Sequence, residues 1–135
     1  MTPAGLNIRA SPHGARQTID RLVAEVAARG MTVFARIDHA AGAAEVGMPL
    51  RPTELLIFGA AKGGTPLMQS VQSIGIDLPL KMLAWDDEGG QTHLAYNEPQ
   101  WLAERHGVAA SELTGRMSAM LNAVAEAVVA PASGT

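Results

Sequence analysis

The run from Leu80 to Tyr96, LKMLAWDDEGGQTHLAY, restricts the fold more than any other part of this chain. Leu80, Met82 and Ala84 alternate with Lys81, Leu83 and Trp85 up to Asp86. The turn residues Asp87-Glu88-Gly89-Gly90 follow, and Gln91 to Tyr96 returns with Thr92, Leu94 and Tyr96 on one side. Period-two alternation on both sides of a glycine-containing turn specifies an antiparallel hairpin. A hairpin alone is marginal in water, so the other strands and the amphipathic helices must cover it.

Those elements read in order. Leu6 to Ala10 is a short edge strand closed by Ser11-Pro12. Gly14 to Arg29 carries Ile19, Leu22, Val23 and Val26 at helical spacing, and Gly30 stands at its C-terminal cap. Met31 to Ile37 alternates as a strand, with Met31, Val33, Ala35 and Ile37 on one side and Thr32, Phe34 and Arg36 on the other. Asp38 then caps a small helix over residues 40–46. Glu54 to Phe58 is a compact apolar strand, and the Thr65-Pro66 pair predicts a helix over 66–74 with Thr65 as N-cap, Pro66 at the first helical position and Gly75 as its end. A short helix follows Asn97-Glu98-Pro99, and Ser111 caps a long final helix striped by Leu113, Met117, Met120, Leu121, Val124 and Val128. Trp85 and Tyr96 are expected to face each other across the hairpin. The pattern predicts an α+β fold, a mostly antiparallel sheet with helices packed on one face, as one domain over residues 1–130 with a disordered tail over 131–135. The hairpin and the absence of regular βα alternation count against a doubly wound sheet.

A chain of 135 residues with 47% hydrophobic and 17% charged residues supports one full core. It has no cysteine, which excludes disulfides, thiolate metal sites and cysteine nucleophiles. The four histidines, 13, 39, 93 and 106, show no metal-ligand spacing, so neither a metal nor a cofactor is expected. A net charge of −3 and scattered basic residues argue against nucleic acid as a partner. With no long apolar run and no signal-like N-terminus, no membrane partner and a cytoplasmic location are expected.

The richest local pattern is Gly59-Ala-Ala-Lys62-Gly63-Gly64-Thr65, where an apolar strand meets a helix. Glycines that permit unusual backbone angles, free N–H groups at a helix start and one lysine are the ingredients of an anion site. The order of residues is not that of a Walker loop. The alternative is that the glycines only serve the turn. Asp38 and His39 at a strand end read either as a helix cap beside a surface histidine, or as acid-base groups converging with Lys62, Arg51 and Asp77. Arg51 is either a turn residue, a partner of Asp38 or Asp77, or a ligand carboxylate clamp.

Several segments together, TVFARIDHAAGA (32–43), LRPTELLIFG (50–59), KGGTPLMQ (62–69), IDLPLKMLAW (76–85) and AYNEP (95–99), resemble the domain of unknown function family 302 in one consistent order. The resemblance implies a compact α+β domain of the TBP-like, helix-grip type, found as small bacterial proteins, and it implies no activity. Where the family pattern has Asn-Pro, this chain has Ala60-Ala61. Three functions are therefore weighed. The first is binding of a small polar or anionic molecule by Arg51, Gly59, Lys62, Gly63, Gly64, Thr65 and Asp77, bordered by Asp38 and His39. The second is an enzyme with Asp38 or His39 as base and Lys62 stabilising negative charge. The third is an interaction domain that forms a homodimer through an exposed strand or the stripe of the last helix.

Overall fold

The computed structural model describes residues 2–109 and 111–132. The chain runs β1 (Leu6–Ser11), α1 (Ala15–Ala28), β2 (Thr32–Asp38), α2 (His39–Glu45), β3 (Thr53–Gly59), α3 (Ala61–Ser70), a 3-10 turn (Gln72–Ile76), β4 (Leu80–Asp86), β5 (Thr92–Asn97), α4 (Pro99–Arg105) and α5 (Glu112–Val129). Five strands form one sheet in the order β1-β5-β4-β3-β2, and every neighbouring pair is antiparallel. This is the α+β architecture that the hairpin and helix stripes predict. Residues 133–135 of the expected tail lie outside the described residues.

Alternation decides which face the helices take. Leu56 and Phe58 of β3, Met82 and Ala84 of β4, and Leu94 and Tyr96 of β5 are all at most 2% exposed. They meet Ile19, Leu22 and Val26 of α1 and Leu121, Val124 and Val128 of α5, which are equally buried. The part of the last helix's stripe formed by Leu121, Val124 and Val128 is thus spent in the core. Trp85 and Tyr96 do not face each other, because their positions differ in parity. Trp85 lies opposite His93 and stacks on it at 5.2 Å, whereas Tyr96 lies opposite Met82 on the helical side.

Polar contacts fasten the helices to this layer. Arg21 of α1 donates to the carbonyls of Ala127, Val128 and Ala130, a cation at the C-terminus of α5 where carbonyls are otherwise unpaired. Asp86 at the end of β4 accepts from the first N–H of α1, at Ala15, which has no cap from its own neighbour Gly14. Asp38 caps α2 through Ala41 N–H at 2.9 Å, and Ser111 with Thr114 forms a capping box at the start of α5. Both of these caps are legible in the sequence.

Strand β2 departs from simple alternation. Val33 opposes Phe58 and Ala35 opposes Ile57, so Phe34 is an extra residue in a β-bulge. Beyond the bulge the faces exchange. Arg36 therefore lies on the helical side, still partly exposed, where its guanidinium bonds Glu54 of β3 at 2.8 Å and Asp20 of α1 at 2.7 Å. The hydrogen bond to Glu54 is the main cause that raises the Arg36 pKa. Glu54 is only 6% exposed, so removal of its partner strands a nearly buried carboxylate. Arg36→Met is expected to lower stability by about 2 kcal/mol in urea unfolding, as loss of a charged hydrogen-bond partner predicts. Arg29→Met, which removes an exposed pair with Glu25, is expected to change it by less than about 0.5 kcal/mol.

Candidate functional site

At the end of the sheet where β3 stops and β4 begins, the chain encloses a cavity of about 390 Å³. Gly59, Ala60, Ala61, Gly63, Gly64 and Thr65 form one wall; Lys62 of the same segment is not part of the lining. The remaining wall is apolar: Met31, Phe34, Met68, Leu78, Met117 and Met120. Four methionines and one phenylalanine thus converge from β2, the residue before it, α3 and α5. They are far apart in sequence, and no local motif announces them.

The Gly59 to Thr65 segment is not the bend that its composition suggests. Gly59 alone has a positive φ, +155°, a backbone state that a side chain would strain. The helix begins at Ala61, with Ala60 as N-cap in extended conformation. The N–H groups of Gly63 and Gly64 bond the Ala60 carbonyl at 3.0 and 3.3 Å, which places both glycines in the first turn. Thr65 is accordingly not the cap, and Pro66 lies inside the helix, where it deprives the Lys62 carbonyl of its usual i+4 donor. Helix α3 also stops at Ser70, short of the expected Ile74, and Val71 turns the chain into the 3-10 segment. Packing does not demand a glycine at Gly64, where a Cβ would meet Leu78 at 3.4 Å, an ordinary contact. Gly63 has open space around its Cβ position.

This start explains the departure at Ala60-Ala61. An Asn-Pro pair there would occupy the N-cap and first helical positions, the two places those residues favour. Ala60 supplies no side-chain cap. Ala60→Asn is therefore expected to stabilise the protein by about 1 kcal/mol in urea unfolding.

The other sequence-derived candidates do not gather here. Thr32 pairs with Gly59 at the cavity end of β3, but Asp38 pairs with Glu54, five residues away or about 17 Å at the usual strand rise. His39 opens α2 beyond Asp38, and Arg51 precedes β3 at that same far end. Asp38 is occupied as a cap. The expected convergence of Asp38, His39 and Arg51 with Lys62 is therefore not found. Lys62 is exposed at the second position of α3 and, among the described residues, makes no ion pair.

Asp77 stands one residue before Leu78, at the flank of the cavity, but its partners are Arg105 and His106 rather than Arg51. Ser73 Oγ completes the chain, 2.8 Å from His106 Nδ1. Serine, imidazole and carboxylate follow one another as in a nucleophile system, yet neither Ser73 nor His106 lines the cavity. The contacts fasten the 3-10 turn to the end of α4. Burial works to raise the Asp77 pKa, but the hydrogen bond from His106 and the nearby Arg105 guanidinium outweigh it, and the carboxyl is held below its ordinary range. A depressed carboxyl contributes stability that is present above the unfolded value, about 3.9, and is lost as pH falls through the folded value. The stability advantage of the wild type over Asp77→Asn, followed by urea unfolding on acidification, is expected to shrink below about pH 4.

Residues 8–124 match the family model of the domain of unknown function DUF302. The chain is 48% identical over 108 residues to the Fluoride-specific ion channel FluC 1 of Brucella suis biovar 1 (strain 1330), covering 80% of this chain and 42% of that protein. The same identity and length hold for the FluC 1 protein of Brucella abortus biovar 1 (strain 9-941), of which 40% is covered. The chain thus spans about two fifths of the length of these relatives. Among its described residues no helix is long and apolar enough to cross a membrane. The crystal structure of an uncharacterized conserved DUF302 protein from Bacillus stearothermophilus superposes with a TM-score of 0.74 at 16% identity, covering 94% of this chain and 97% of that one.

Proposed function

The chain belongs to the DUF302 family of domains of unknown function, and for this member we propose binding of a small amphipathic molecule in the cavity beside α3. The observation that carries the reading is the lining: four thioethers and a phenyl ring around about 390 Å³, a volume within the range of small-molecule sites. Methionine side chains are flexible and polarizable and adapt to apolar ligands of varied shape. An isolated inorganic anion would lose its hydration there without compensation. The polar end of the ligand belongs toward Gly63, Gly64 and Thr65, in the N-terminal part of α3; Lys62, exposed on the same turn and outside the lining, is the cation near enough in sequence to meet it. The Gly59 to Thr65 segment thus acts through an apolar wall as well as through charge. The fluoride for which the longer relatives are named is small and strongly hydrated and does not suit this apolar lining.

Decanoate is a suitable probe, with decanol and acetate as its two halves. Decanoate at about a hundredfold excess over Kd is expected to raise stability by about 2.7 kcal/mol, read as a thermal shift. Acetate is expected to give none. Lys62→Ala should weaken decanoate more than decanol, and Gly64→Leu, whose Cβ would lie 3.4 Å from Leu78 and 3.7 Å from Met68 of the lining, should abolish both responses. No shift with decanoate or decanol, or full shifts in Gly64→Leu, would overturn the reading. A shift with acetate or phosphate alone would restore the purely anionic site.

A further inference from the structure

The sheet has a second face, turned away from α1 and α5, and it is apolar too. One row crosses all five strands: Ile8 opposes Ala95, Ala95 opposes Leu83, Leu83 opposes Leu55, and Leu55 opposes Ile37. The neighbouring rows hold Trp85, Ile57 and Ala35 beside the polar Thr53, His93 and Asn97, and Lys81 is the one fixed charge that β3, β4 and β5 place on this face. An antiparallel sheet with one wet face shows polar residues along its central row as well. Strands apolar on both sides are those covered on both faces. Ile8 and Ile37, at the two ends of the row, are 36% and 38% exposed.

We propose that a second copy of this chain covers the open face, the two sheets stacking about a twofold axis that runs along the row from Ile8 to Ile37. Two features favour a copy of the chain over another partner. The first is area. Five strands about 4.8 Å apart and six or seven residues long span roughly 24 by 22 Å, so a stacked pair removes about 1,000 Å² of surface before side-chain relief is counted. That reaches the threshold of a specific interface. The second is self-complementarity. Rotation about the row places each apolar residue of the row over the same row in the other copy. It exchanges the two flanks of each strand, and along β4 those flanks hold Lys81 and Trp85. Each Lys81 is thereby carried to Trp85 of the other copy, so that its aliphatic stem packs beside the indole, a contact made twice. Edge-to-edge association through β2 is the poorer alternative, because the bulge at Phe34 interrupts the ladder that a second edge would need.

Light scattering on a sizing column at micromolar concentrations is expected to give twice the 14.1 kDa chain mass. Leu83→Lys and Leu55→Lys should each give monomers with unchanged far-UV circular dichroism, since neither side chain belongs to the helical core. Lys81→Glu should weaken the dimer about tenfold while leaving the apolar row intact. In a Trp101→Phe background Trp85 is the sole tryptophan, and its emission should shift to the red as the protein is diluted. A monomeric wild type overturns the proposal. So does a dimer that survives both lysine substitutions, or a Trp85 emission that ignores dilution across the dissociation range.

Discussion

Everything in this fold hangs on one apolar layer, pressed between the β3-β4-β5 face and the pair α1 and α5. Each of those elements is half of an amphipathic solution that has no stable form alone. The strands supply Leu56, Phe58, Met82, Leu94 and Tyr96, and the helices supply Ile19, Leu22, Leu121, Val124 and Val128. Buried side chains of this size each contribute about 1.5–3 kcal/mol relative to exposure, so the layer outweighs any single polar contact. The polar contacts orient it. Arg21 sets α1 against the end of α5, Asp86 ties the start of α1 to the hairpin, and Arg36 holds the edge strand down onto α1.

Much of this was readable from spacing. The hairpin, the α1 stripe, the α5 stripe, and the Asp38 and Ser111 caps all rest on periodicity or on short-range hydrogen bonds, which a sequence displays directly. Two local readings failed for local reasons. Thr65-Pro66 has the composition of a helix start, but Gly63 and Gly64 carry negative φ and the turn before them is already helical. In β2 a single unpaired residue, Phe34, exchanges the faces of everything after it, and nothing in the alternation marks where a bulge falls.

The cavity was half legible. Its glycine wall is contiguous and stood out; its methionine wall comes from positions 31, 68, 117 and 120, which only the tertiary fold brings together. The same limit applies to Asp77, whose partners Arg105 and His106 lie 28 and 29 residues further along. Candidates grouped because they were near in sequence, Asp38 with Lys62 above all, were separated by the length of a strand. An antiparallel sheet sends successive loops to opposite ends, so chain neighbours on either side of one strand are spatial strangers.

The pairing of β1 with β5 has a consequence for how the molecule assembles. Leu6 sits opposite Asn97, so the first strand of this sheet in chain order is joined to the last. The four-stranded remainder can form through hairpins and short connections, but the β5 edge stays open until the N-terminus returns to it. Closure of so long a loop costs entropy that only late, nonlocal contacts recover, and such topologies fold slowly for their size. During synthesis the β1 segment waits without its partner for some eighty residues, the gap between Ser11 and Thr92. Its polar positions, Asn7 and Arg9, which later bond Glu98 and Asn122, keep that waiting strand from being a uniformly apolar one.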